Sequence, residues 1–243
     1  MRTILSWLFL LVLICLAQAS HSKSMPITAQ SWLVADDAGH IIKGENTEQV
    51  RSIASISKLM TVMVVLDANQ DLTQVIDKKW TRQELIQLAI IKSDNSAATA
   101  LCDNYPNGKH SCIFQMNAKA RQLGLVNTHF LEPTGLSMFN VSTAIELIKL
   151  VQAASLYPEI VSASKTSQVK IQIRKKWFVF NNTNPIIGKK HNFIVSKTGY
   201  INASGGCIVM MLDTDVGRRI VVVLGSKNTR TRIPEAEFIA ELN

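Results

Sequence analysis

The sequence predicts an α+β domain: one antiparallel sheet with helices on its faces and a helical block inserted in its middle. Three observations carry that prediction. Strand-like segments lie at both ends of the chain, with helix-like segments between them. The late strands follow one another at hairpin spacing, which favours antiparallel pairing. The two ends must then pair with each other to complete one sheet.

The elements are justified in chain order. Residues 1–19 read as a secretory signal peptide. Arg2 gives a basic start, 5–16 is apolar but too short to span a bilayer comfortably, and Ala17-Gln18-Ala19 is a small-x-small cleavage site. An uncleaved anchor is the competing reading. Cys15 does not suggest a lipoprotein, because Ile14 is large where a small residue is needed. Residues 20–28 are expected to be a flexible mature N-terminus. A single domain is expected over 29–243, with its helical subdomain at about 81–155.

Residues 29–35 and 41–44 are short apolar runs around Asp36-Asp-Ala-Gly-His40, which reads as a hairpin. Residues 55–69 are long, apolar and free of Gly and Pro, so they predict a helix. Thr81-Arg-Gln-Glu84 is a capping box that opens a helix to about Lys92. Further helices are expected at 95–104, 112–123 and 142–155. Strands follow at 169–173, 177–180, 193–197, 207–212 and 219–224. Pro234 begins a final short helix.

The formal charge is +8 over 243 residues. A basic secreted chain suits a polyanionic neighbourhood such as a cell wall or membrane surface. Nucleic acid is not favoured, since Lys170, Arg174, Lys175 and Lys176 form the one dense basic run and the rest is scattered. After signal removal, Cys102 and Cys112 bracket a short polar loop in an oxidising compartment, and a disulfide and a free pair both remain open. Cys207 reads as a buried free thiol. No CxxC or paired-histidine spacing suggests a metal, and no cofactor is expected. The five histidines form no Ser-His-Asp arrangement.

Three short strings carry the chemistry: Ser55-Ile-Ser-Lys58, Ser93-Asp-Asn95 and Lys197-Thr-Gly199. SxxK alone means little, for it also occurs at Ser20, Ser162 and Ser167. SxN recurs at Ser226, whereas KTG is unique. Context selects Ser55, which starts a long apolar helix. There it lies near unpaired N–H groups and the positive end of the helix dipole. Lys58 is one helical turn on, above the same face. Burial and a second cation, Lys197, are expected to lower its pKa and make it a base for Ser55. Ser93 falls between two helices, where it can relay a proton between Lys58 and a leaving group. Asn95 can donate to a substrate carbonyl. The bland alternative for this string is a plain helix N-cap. Lys197-Thr-Gly199 closes an apolar strand, where a glycine marks close approach. Lys197 and Thr198 would bind a substrate carboxylate. The backbone N–H of Tyr200 would be the second oxyanion donor beside that of Ser55.

With these strings, the chain resembles the serine penicilloyl-recognising enzymes. It is most similar to the low-molecular-mass penicillin-binding proteins of the D-alanyl-D-alanine carboxypeptidase and endopeptidase family, which have a β-lactamase-like fold. The resemblance runs from about Ala29 to Arg219. It includes Ala54-Ser-Ile-Ser-Lys-Leu-Met60, Lys92-Ser-Asp-Asn95, Glu132-Pro-Thr-Gly-Leu-Ser137, Asn140-Val-Ser-Thr-Ala144, Asn182-Thr-Asn184 and Lys197-Thr-Gly-Tyr200. The Glu132 and Asn182 stretches look closest to the endopeptidase branch, which cuts D-alanyl–diaminopimelate crosslinks in peptidoglycan.

The resemblance implies that Ser55 attacks the D-alanyl carbonyl, Lys58 takes its proton, and water releases the acyl-enzyme. By match of motif, Ser55, Lys58 and Ser93 are catalytic, and Asn95, Lys197, Thr198, Gly199 and Tyr200 bind substrate. It implies peptidoglycan stem peptides as substrate, β-lactams as covalent inhibitors, and a periplasmic location without a stable membrane anchor. Two departures stand out. Ser55 to Ser93 is shorter than this family leads one to expect, with the missing piece between Val75 and Thr81 beside the active-site rim. The chain also stops soon after its last strand, without a C-terminal β-domain or an anchor helix.

Rival readings are a carboxypeptidase trimming stem pentapeptides, a β-lactamase, and an inactive wall-binding protein. Glu132 is tempting as the water-activating glutamate of a β-lactamase. Its loop, however, continues to Ser137 without the lactamase asparagine, so it reads as structural.

Overall fold

The computed structural model describes residues 25–76, 79–173 and 175–243. The signal-peptide expectation lies outside the described residues.

Strands β1 (Ser31–Asp36) and β2 (Ile41–Glu45) form the expected hairpin, followed by β3 (Arg51–Ser52). A 3-10 turn over Ala54–Ile56 leads into α1 (Ser57–Asp67). A two-residue pair, β4 (Val75–Ile76) and β5 (Trp80–Thr81), precedes α2 (Arg82–Gln87). The Thr81–Glu84 capping box is complete. This helix widens into a π-helical turn at Leu88–Lys92, then α3 spans Asn95–Asp103. Next come α4 (Gly108–Gln122), β6 (Val141–Ser142), α5 (Ala144–Ala154) and α6 (Pro158–Lys165). Strands β7 (Gln168–Ile173), β8 (Lys176–Asn181), β9 (Asn192–Ile201), β10 (Gly205–Thr214) and β11 (Gly217–Ser226) lead to α7 (Arg232–Ala240).

The main sheet has the order β2-β1-β11-β10-β9, antiparallel throughout. The chain ends meet where β1 pairs with β11. α5 packs on one face of β1, β10 and β11, and α7 packs on the same strands from the other side. α1 touches α3, α4 and α5 and is buried nearly all round, as a central helix must be. Cys102 and Cys112 are joined as a disulfide between α3 and α4, while Cys207 is free and buried.

Several expectations need correction. β7 and β8 pair only with each other, so the late strands do not all enter one sheet. Lys197-Thr-Gly199 does not end its strand. The ladder to β10 continues through Gly199↔Cys207 and Tyr200↔Gly206 to Ile201↔Gly205, and the chain turns only afterwards. Ser55 is not the first residue of an α-helix. Ala54 sits at φ +46°, which breaks the helical path and leaves Ser55 in the 3-10 turn. Helix α6 was not foreseen, and Ser162 lies on it. α4 begins four residues before Cys112, and α7 begins two residues before Pro234.

Candidate active site

The site forms where the edge strand β9 meets the 3-10 turn before α1. Two glycines permit the approach. A Cβ on Gly199 would lie 2.8 Å from the Ser55 nitrogen. A Cβ on Gly135, at φ +79°, would lie 1.9 Å from the Ala54 oxygen. Only glycine fits either place. Two other residues near the chemistry are in left-handed conformations without being glycine: Ala54, and Ser93 at φ 57°. Such conformations cost on the order of 1–3 kcal/mol each and persist only where their surroundings hold them. A π-helical turn immediately before Ser93 is a second departure of a kind that gathers at functional sites.

The Lys58 ammonium is fully buried and donates three ways. Its partners are Ser55 Oγ at 2.9 Å, Asn95 Oδ1 at 2.7 Å and the Thr134 carbonyl at 2.5 Å. Burial lowers its pKa to about 8, against the opposing pull of Glu132 and Asp94. Lys197, also buried, donates to Ser93 Oγ at 2.8 Å and to the Thr198 carbonyl at 2.9 Å. Its pKa falls well below the ordinary lysine value, through burial first and then the charges of Lys58 and Arg232. The sequence expectation gave Lys197 a share in lowering Lys58. Instead burial is what lowers Lys58, while the charge of Lys58 is one of the causes that lower Lys197.

Ser55, Lys58 and Asn95 therefore form one hydrogen-bonded group, and Ser93 and Lys197 a second beside it. Ser93 Oγ contacts Lys197, where the sequence suggested Lys58. Asp94 caps α3 through Ala97 N, so the N-cap reading and the site geometry coexist. Thr198 Oγ1 donates to Thr183 Oγ1 at 2.7 Å, bringing in the Asn182-Thr-Asn184 segment. Tyr200 is half-exposed at the rim.

Glu132 is structural. Its oxygens accept from the backbone of Thr134, Gly135 and Ser137 and from Thr134 Oγ1, which folds the loop that presents the Thr134 carbonyl to Lys58. Sequence reasoning missed Thr134 and Thr183 as contributors, although both lay inside quoted motifs. Neither makes its contact through short sequence spacing, so no local signal marks it. No group of metal-ligating side chains occurs among the described residues.

A family model described as D-alanyl-D-alanine carboxypeptidase, peptidase family S11, matches residues 17–79 and 71–228. The chain belongs to the S11 peptidase family. The two matched pieces meet at 71–79, where the sequence pointed to a missing loop. The chain is 36% identical to a D-alanyl-D-alanine endopeptidase of Pseudomonas aeruginosa, over 86% of this chain and 75% of that one. It is 38% identical to a D-alanyl-D-alanine endopeptidase of Escherichia coli, over 80% and 70%. Penicillin-binding protein D2 of Listeria monocytogenes, solved in its ampicillin-bound form, superposes with a TM-score of 0.78 at 25% identity, covering 90% of this chain and 98% of that one. The Streptomyces K15 DD-transpeptidase shares the fold, with a TM-score of 0.81. The expected family and the α+β, β-lactamase-like fold are both met.

Proposed function

We propose that this S11 peptidase is a D-alanyl-D-alanine endopeptidase that hydrolyses D-alanyl–diaminopimelate crosslinks through an acyl-enzyme on Ser55. The observation that carries the reading is the 2.9 Å contact between the Lys58 ammonium and Ser55 Oγ, in a site where burial brings that lysine to about pKa 8. A base in that range is partly neutral at physiological pH and can take the serine proton.

Ser55 Oγ attacks the D-alanyl carbonyl as its proton passes to Lys58. The N–H groups of Ser55 and Tyr200 receive the developing oxyanion. The proton that Lys58 took from Ser55 is passed to the departing amine with Ser93, held by Lys197, as the relay, which leaves Lys58 neutral again. Water then attacks the ester, giving its proton to Lys58, which returns it to Ser55 Oγ as the acid departs. Lys197 and Thr198 bind a carboxylate beside the scissile bond, and that carboxylate favours the charged form of Lys197. Asn95 orients Lys58 and donates to a substrate carbonyl. β-Lactams acylate the same serine; the ampicillin-bound relative supports this.

Endopeptidase is favoured over carboxypeptidase by likeness. The 36% and 38% identical relatives carry the endopeptidase name, whereas carboxypeptidase relatives from Bacillus subtilis and Mycobacterium tuberculosis are 25% and 27% identical. Signal-peptide character in the first 19 residues and the basic charge support export to the periplasm and action at the wall. No helix among the described residues is long and apolar enough to cross a membrane.

Purified crosslinked muropeptide dimers, digested by wild type and Ser55→Ala and read by mass spectrometry, test the reading. Dimers converted to monomers by wild type alone support it. Loss of one terminal D-alanine from pentapeptides, with dimers intact, would make the enzyme a carboxypeptidase.

A further inference from the structure

The two N–H groups assigned to the oxyanion belong to the peptide units Ala54–Ser55 and Gly199–Tyr200. In both, the carbonyl at the far side of the unit accepts from a buried side chain. The Ala54 carbonyl takes Ser57 Oγ at 2.8 Å, in addition to the Ser57 N–H. Ser57 Oγ in turn accepts from Asn140 Nδ2 at 3.0 Å. The Gly199 carbonyl takes Arg232 Nη1, reaching from α7, at 2.7 Å. Ser57, Asn140 and Arg232 are all buried.

A trans peptide is planar, with its C=O and N–H pointing in opposite directions. Fixing the carbonyl therefore fixes where the N–H points. A donor on the carbonyl also polarises the amide, strengthening the bond its N–H can make. On the site side little else holds either unit, although the ladder to β10 also holds the Gly199–Tyr200 unit from behind. Ala54 is in a left-handed conformation, and β9 is the edge strand, with no strand paired beyond it among the described residues.

We infer that Ser57, braced by Asn140, and Arg232 are positioning residues that aim the two oxyanion amides. This rests on the acyl-enzyme reading above. The chemistry of the three side chains supports it. Arg232 has no carboxylate partner among its described contacts, and it adds positive charge beside Lys197. A buried cation next to a buried lysine costs stability, and a residue there for packing alone would be apolar. Asn140 is fully committed: it also donates to the Glu132 carbonyl at 2.8 Å and accepts from the nitrogens of Leu131 and Glu132. One loop thus holds both the Thr134 carbonyl on Lys58 and the brace behind Ser57.

The test uses the full chain acylated with a penicillin carrying ¹³C at its β-lactam carbonyl. Acylation rate and the infrared stretch of the resulting ester carbonyl are measured together for wild type, Ser57→Ala, Ser57→Thr and Arg232→Met. A well-aimed oxyanion hole lowers that stretching frequency, which a merely structural role would leave alone. Loss of a whole oxyanion donor costs about 10²–10³ in rate, so loss of one anchor is expected to cost about tenfold. Ser57→Ala and Arg232→Met should each slow acylation by that amount and raise the ester frequency. Ser57→Thr, which keeps the hydroxyl, should restore both. An unshifted ester band in Ser57→Ala and Arg232→Met overturns the inference. So does an Arg232→Met enzyme with raised KM for peptide but unchanged kcat and band, which would make Arg232 a substrate ligand. Should Ser57→Ala fail to fold, Arg232→Met reads the second amide independently. A wild type that forms no ester on Ser55 would instead bring down the acyl-enzyme reading itself.

Discussion

The sheet is covered by two layers of opposite character. Under α7, Ile233, Ala236, Ile239 and Ala240 meet Trp32, Val34, Ile208, Met210, Leu212, Val221 and Val223, a mainly apolar contact, with buried Arg232 and Glu235 of the same helix turned to the Gly199 carbonyl and Thr28. Along β9, the seam with the helices buries Lys58, Lys197, Thr198, Thr134 and Asn140. The first layer gains stability from every side chain it removes from water. The second buries two lysines without a carboxylate bonded to either, and holds Ala54 and Ser93 in left-handed conformations. The difference teaches where the proposed chemistry is placed. A strained, desolvated seam is tolerated because an apolar layer on the same strands holds the scaffold together.

That contrast can be broken by substitution. Lys58→Met should lower acylation by about 10³-fold, the range for removing a general base. Its melting temperature should stay level or rise, because an apolar side chain replaces a buried charge. A fall of many degrees would show that the seam carries stability after all. Gly135→Ala should lower acylation by about 10²-fold, since the added Cβ meets the Ala54 oxygen and displaces the Ser55 peptide. Stopped-flow acylation kinetics would read both.

The apolar layer should answer in the opposite sense. Ile239→Ala is expected to destabilise by about 2–4 kcal/mol in urea unfolding, with acylation unchanged below the transition. Reducing the Cys102–Cys112 disulfide should cost no more than about 3 kcal/mol, given its short loop, and leave acylation intact because the bridge joins α3 and α4 away from Ser55.

Acidity sharpens the comparison most gently. In the proposed mechanism Lys58 must be neutral to accept a proton, and burial lowers its pKa to about 8. Below that value the acylation rate should rise about tenfold per pH unit, and above it the rate should level off. A profile that is flat between pH 6 and 9 would remove Lys58 as the titrating base.

The two layers also differed in how much the sequence revealed. β10 and β11 were legible because they are long and apolar with β-branched residues, and the pairing of the last strand, β11, with β1 followed from topology alone. The seam was legible only as motifs. Ser55, Lys58, Ser93, Asn95 and Lys197 stand out as strings, yet the sequence could not show that Ser93 meets Lys197 across 104 residues. Gly199 read as a strand end and as a mark of close approach; the approach is there, to the Ser55 nitrogen, but the strand runs on past it. The 3-10 turn was hidden because nothing about an alanine announces a positive φ. Ser57 and Asn140 lie inside quoted strings and Arg232 in none, but the meaning of all three lies in contacts 83 and 33 residues apart.

The account turns on Ser55 as the acylated residue of the seam. Intact-protein mass spectrometry after ampicillin treatment, with peptide mapping, tests that most directly. One penicilloyl adduct is expected on the peptide carrying Ser55, absent from Ser55→Ala and formed at the wild-type rate in Ile239→Ala. An adduct that persists in Ser55→Ala, or maps to another serine, would contradict it.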